Sequence, residues 1–108
     1  MSKSFSIVYH YIPEFYYLRL ASHYAHINHY KTLENRKGFY LFGGTEYPHN
    51  SGYIFVHGFE DAAQVEEFVK IDPFVSSGLV NSYFIEQIEP IGKKNIDEVA
   101  KYYAYVCK

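Results

Sequence analysis

One cysteine, one methionine and no tryptophan occur in 108 residues. Cys107 alone closes no internal disulfide and builds no thiolate metal cage, which suits a reducing cytoplasm. Basic residues are in no excess: ten Lys and Arg stand against twelve Asp and Glu, for a formal charge of −2, and they are scattered. A chain of this kind has no means of neutralising a row of phosphates, so no nucleic acid partner is expected. No stretch approaches the roughly 18 uninterrupted apolar residues that suggest a membrane span. Met1-Ser2-Lys3-Ser4 leads straight into an alternating segment, without the apolar core of a signal peptide. A soluble, unprocessed, cytoplasmic protein with no membrane partner is expected.

Apolar residues are plentiful, at 48% against 20% charged, which is globular and outside the disordered regime. The length predicts a single domain over 1–108, since a second core would not fit. Thirteen Tyr and nine Phe invite the idea of an aromatic-lined pocket; a codon bias toward Tyr, Phe, Ile, Asn and Lys explains them as well and is preferred.

Phe5, Ile7 and Tyr9 alternate with Ser6, Val8 and His10, a period of two that predicts a first strand, closed by Ile12-Pro13. From about Tyr16 to Arg36 the spacing turns helical. At 100° per residue Leu20, Tyr24, Ile27, Tyr30 and Leu33 share about half the circumference, so one helix buried on that arc is predicted, ending before Gly38. Phe39–Phe42 and Tyr53–Val56 are short apolar runs bounded by glycines, and they predict two strands around a polar loop, Thr45 to Ser51. Asp61 is placed to cap a helix with Gln64 reaching back to it, and Ala62, Val65, Phe68 and Val69 form its apolar stripe. Tyr83 to Ile88 supplies a fourth strand. Asn95 and Glu98 suit the start of a last helix, over about 95–106.

The order β-α-β-β-α-β predicts an α+β, ferredoxin-like protomer: a four-stranded antiparallel sheet with both helices on one face. The other face is left bare. Apolar surface costs roughly 25 cal/mol per Å² in water, so a second layer is expected there: a second subunit's sheet, the C-terminal helix, or both.

Three histidines lie on the first helix. His23 and His29 point about 120° apart on a regular helix, so His23, His26 and His29 cannot hold one ion together. A two-histidine site, His23 and His26 completed by Asp72 or His49, is the remaining metal reading. By the same angles His23 and His26 fall on the buried arc, whereas His29 points away with Asn28 and Thr32. His26 is thus either a core residue bonded to a backbone carbonyl or a general acid/base in a pocket. Asp72 precedes Pro73, which ends one helix and makes an N-cap and first-turn pair for a short turn closed by Gly78. Capping alone accounts for it.

His23-Tyr24-Ala25-His26, the segment Gly38 to Gly44, the third strand, and above all Asp72-Pro73-Phe74 with Gly78-Leu79 resemble the YciI-like (YCII-related) domains. These are dimeric α+β barrels with a ferredoxin-like protomer. The resemblance covers about residues 4–90 and leaves the C-terminal helical extension outside. It implies a homodimer, with the extension able to add a further oligomer interface, and a His–Asp dyad that by position is His26 and Asp72. The family commonly has arginine three residues before that histidine, where this chain has His23; Arg19, between His23 and His26 on the helical wheel, is expected to supply the charge. Substrate contacts are expected from Arg19, His23, Tyr30, His49 and Phe74, with no cofactor and no metal.

The activity so implied is a cofactor-free proton transfer of the lyase or isomerase kind on a small, cyclic substrate. A dehydrochlorinase acting on a chlorinated hydroxyquinol is associated with the family, and muconolactone isomerase with related barrels. The alternative is a non-catalytic small-ligand-binding or interaction module, in which the pair merely ties two helices together. One distance separates capping from function at Asp72: His26 within hydrogen-bond reach, roughly 2.6 to 3.2 Å.

Overall fold

A computed structural model describes residues 2–45 and 48–90. Strand β1 (Lys3–Tyr11) runs into a one-turn helix α1 (Phe15–Leu18), a 3₁₀ turn Arg19–Ser22, helix α2 (His23–Lys31) and a second 3₁₀ turn, Thr32–Arg36. The hairpin β2 (Phe39–Gly44) and β3 (Ser51–Phe59) follows, then α3 (Ala62–Lys70), the short α4 (Pro73–Ser76) and β4 (Val80–Ile88). The sheet order is β2-β3-β1-β4, with every neighbouring pair antiparallel. This is the ferredoxin-like α+β arrangement expected from the order of elements. The helix expected over 95–106 lies outside the described residues.

Alternation on β1 sorts the sheet's two faces. Phe5, Ile7 and Tyr9 are fully buried with Ile54 and Val56 of β3 against Tyr30, Leu33, Val65 and Val69. Ser6, Val8 and His10 take the opposite face, beside Glu86, Phe84 and Ser82 of β4. Pairing with β1 over eight positions extends β3 well beyond Tyr53–Val56, because each added residue joins the hydrogen-bond ladder. The same pairing starts β4 at Val80 rather than Tyr83.

The segment 15–36 corrects the expectation of one regular helix. Phe15 packs with Phe74 and Leu79 in a small cluster of its own, while Tyr30 and Leu33 join the main core. These clusters are separate, and a straight helix cannot address both. The 3₁₀ turn at Arg19–Ser22, with about 3.0 rather than 3.6 residues per turn, re-aims the chain between them. Leu20 and Tyr24 consequently end in solvent, 73% and 78% exposed, instead of on the buried arc. His23 is exposed too. His29, expected to point away, stacks on Phe68 at 4.0 Å, and its Nε2–H donates to the Phe68 carbonyl over 2.6 Å.

At the start of α3 the Asp61 side chain accepts from the Gln64 amide, as expected for an N-cap. The Gln64 side chain instead accepts from Glu60, one residue ahead of the predicted partner. Gly78, at φ 82°, turns the chain from α4 into β4 in the left-handed region that suits glycine.

Candidate functional site

Pro73 bars Asp72 from the helical region, and Asp72 is extended, at φ −60° and ψ 129°. Its carboxylate turns back so that Oδ1 accepts the Phe74 amide hydrogen over 3.1 Å and caps α4. The group is fully buried. An isolated carboxylate there would be prohibitively costly, so its other acceptor positions need partners. Two elements, α2 and β1, supply them.

His26, in the middle of α2, brings Nδ1 to 2.8 and 2.9 Å from the two carboxylate oxygens. Tyr9 of β1 donates its hydroxyl to Oδ2 over 2.6 Å. The hydroxyl of Tyr30, one turn beyond His26, lies 2.8 Å from that of Tyr9. Since Tyr9 has given its single hydrogen to Asp72, Tyr30 is the donor in this second contact. Burial above all, then the neighbouring Tyr30 and Asp72, pushes the Tyr9 phenol far above its ordinary value. Burial, then Asp72, does the same to Tyr30. Both phenols therefore stay neutral and remain donors. Asp72 is loaded by Tyr9 O–H and Phe74 N–H, and as an acceptor it fixes the hydrogen of His26 on Nδ1. In the neutral imidazole, Nε2 is then the nitrogen with a lone pair.

The imidazole is held flat. Phe74 stacks on it at 3.8 Å and 7°, and Phe42 of β2 lies nearly parallel to it at 5.0 Å. His26 is 6% exposed, and it lines a cleft of about 200 Å³. Phe42, Phe74 and Ile27 form the apolar part of that cleft with Tyr11 and Phe15, whose rings stack at 3.5 Å. The Tyr11 phenol lies across Gly52, where any Cβ would collide with it, so the missing side chain shapes this wall. Arg19, His23, Thr45, His49 and Ser51 make the polar part.

Of the residues singled out from sequence, His26 and Asp72 meet within hydrogen-bond reach, and Arg19, His23, His49 and Phe74 line the same cleft as His26. Tyr30 stands apart: it is buried behind His26, with its hydroxyl on Tyr9 and not on the cleft. Tyr9 was not foreseen. The alternation of β1 marks it as inward-facing but carries no sign of a partner 63 residues away. Among the described residues no three His, Cys, Asp or Glu side chains come together as a metal would need. Among the same residues no helix is long and apolar enough to cross a membrane.

No protein-family model and no curated protein matches the sequence. Solved structures share the fold, among them the following two. One is the 5-chloro-2-hydroxyhydroquinone dehydrochlorinase TftG from Burkholderia phenoliruptrix AC1100, in complex with 2,5-dihydroxybenzoquinone. It is 25% identical, with a TM-score of 0.61, over 84% of this chain and 97% of that one. The other is PA3566 from Pseudomonas aeruginosa, 12% identical, with a TM-score of 0.55, over 84% of this chain and 95% of that one. The fold is the α+β architecture of dimeric α+β barrel proteins.

Proposed function

We propose that the protein is a small-molecule enzyme of the lyase or isomerase type, related in chemistry to the dehydrochlorinase whose fold it shares, with His26 as general base. The observation that carries this reading is the His26–Asp72 pair, with Nδ1 tied to the buried carboxylate and the ring lining a cleft. Neutral Nε2 takes a proton from a substrate carbon or oxygen. Asp72 holds the ring's orientation and stabilises the imidazolium that forms. The electron pair left on the substrate expels a leaving group in a lyase reaction, or is reprotonated by the same imidazolium at another atom in an isomerase reaction.

General base catalysis contributes typically about 10² to 10⁴ in rate, so His26→Ala should lose at least about a hundredfold of turnover. The measurement is chloride release from 5-chloro-2-hydroxyhydroquinone, with double-bond shifts in related cyclic enols followed by absorbance. A folded His26→Ala protein that turns over every substrate of the wild type would end the reading.

The reading includes a homodimer of single-domain chains joined through the sheet face that carries Phe84, 62% exposed. Burial of such a surface stabilises association. Light scattering coupled to gel filtration should give twice the chain mass of 12.7 kDa, and a monomer at micromolar concentration would contradict it.

A further inference from the structure

We infer that the cleft takes a small organic anion, a flat apolar ring bearing a carboxylate or phenolate oxygen, and that Arg19 receives the charged oxygen. This rests on the proposed reading of the cleft as a ligand site, but not on turnover.

Four observations converge. The first is an unmet donor: Arg19 Nε is the one buried side-chain nitrogen or oxygen, among the described residues, that meets no hydrogen-bond partner. Leaving such a group unpaired is costly, more so when it is charged, and an incoming acceptor recovers that. The second is the charge itself. No carboxylate among the described residues pairs with Arg19. The third is the cleft's lining, which among the described residues holds Arg19, His23, His26 and His49 and no Asp or Glu. Asp72 does not line the cleft: it is fully buried, and its oxygens are taken by Tyr9, Phe74 and His26. The described lining thus carries a formal positive charge, on Arg19, to which an anion is drawn.

The fourth is preorganisation. The Arg19 guanidinium lies over the Tyr16 ring at 4.5 Å, and Tyr16 stacks in turn on His49 at 4.7 Å. A cation fixed on an aromatic face gives up less freedom when it binds, and its planar fork suits an oxygen anion bidentately. The apolar half of the cleft sets the rest of the ligand. A volume of about 200 Å³ compares with a cavity of about 150 Å³ that accepts benzene, which leaves room for one ring with a substituent or two. Phe42, Phe74 and Tyr11 offer faces for such a ring.

The test titrates the full chain with benzoate, its neutral isostere benzamide, and 4-nitrophenolate, following the NMR signals of His26, Phe42 and Phe74. At least one anion should bind the wild type about tenfold tighter than benzamide, the worth of a charge-assisted hydrogen bond. Which of the two anions binds better distinguishes a carboxylate from a phenolate oxygen. Arg19→Gln should remove that advantage and leave benzamide unchanged. Tyr16→Leu, at a half-exposed surface position, keeps the cation but not the ring beneath it, and should cut the advantage several-fold even if Arg19→Gln fails to fold. Benzamide binding as tightly as both anions, or an anion preference that survives both substitutions, overturns the inference and leaves the ligand site standing. If none of the three binds, the ligand-site reading falls with it.

Discussion

Tyr9 and Asp72, 63 positions apart, meet in a hydrogen bond of 2.6 Å in the buried interior, with the phenol as donor and the carboxylate as acceptor. Tyr9 does not itself line the cleft, yet it helps to decide which nitrogen His26 presents there. Removing its oxygen leaves Asp72 short of one donor and strands the Tyr30 hydroxyl. Tyr9→Phe should destabilise the fold by about 2 kcal/mol, the cost of buried polar groups left unpaired, in urea unfolding. Unchanged stability would mean that the Tyr30–Tyr9–Asp72 chain contributes nothing net.

Asp72 carries two jobs that substitution can separate. Asparagine caps a helix about as well as aspartate, so Asp72→Asn should keep α4, while Asp72→Ala adds the loss of a cap, about 1 kcal/mol. The asparagine amide also donates, and it no longer confines the His26 hydrogen to Nδ1. Nitrogen-15 spectra of the His26 ring should show one tautomer in the wild type and a mixture in Asp72→Asn, with turnover down at least about a hundredfold. Identical ring spectra would separate the carboxylate from the tautomer.

Alkali should unfold this protein steeply. Tyr9, Tyr11 and Tyr30 are held above their ordinary value, in each case chiefly by burial. In the unfolded chain each ionises near pH 10. Below that pH both states keep the proton and stability is complete; above it the unfolded state alone releases protons, so stability falls as pH rises. Each tyrosine contributes about 1.4 kcal/mol per pH unit, and the three together about 4. Urea midpoints between pH 9.5 and 11.5 should show this slope, shallower in Tyr9→Phe. Ionisation of all thirteen tyrosines near pH 10 with the fold intact would contradict it.

The broken helix has its own signature. Leu33 is fully buried, whereas Leu20 and Tyr24 are exposed. Leu33→Ala should cost about 2 to 5 kcal/mol, and Leu20→Ala and Tyr24→Ala less than about 0.5 each. Equal losses at all three, by equilibrium unfolding, would restore the single regular helix.

That contrast also marks what a sequence can tell. The alternation of Phe5, Ile7 and Tyr9, the order of elements and the Asp72-Pro73 cap were legible because each follows from local sterics or a fixed period. His26 came out correctly because Tyr30 and Leu33 fix its side of α2. Leu20, His23 and Tyr24 did not, since a helical wheel assumes a constant 100° and the 3₁₀ turn that holds Leu20 and leads into His23 breaks it. His29 was misplaced because α3 approaches a face that its own neighbours mark as polar. The Arg19–Tyr16–His49 stack and the Tyr9–Asp72 bond join separate elements, and no local pattern announces them.

The positions of Tyr9, His26 and Asp72 along the chain bear on how the site comes into being. β1 is the inner strand between β3 and β4, so Tyr9 reaches its place only when both ends of the described chain have come together. Contacts of such long sequence separation are favoured only after the entropy of loop closure has been met. A nascent or half-folded copy thus carries the histidine but not its orientation. On the proposed reading, proton-transfer competence arrives with the completed sheet, and an immature chain is inert rather than indiscriminate.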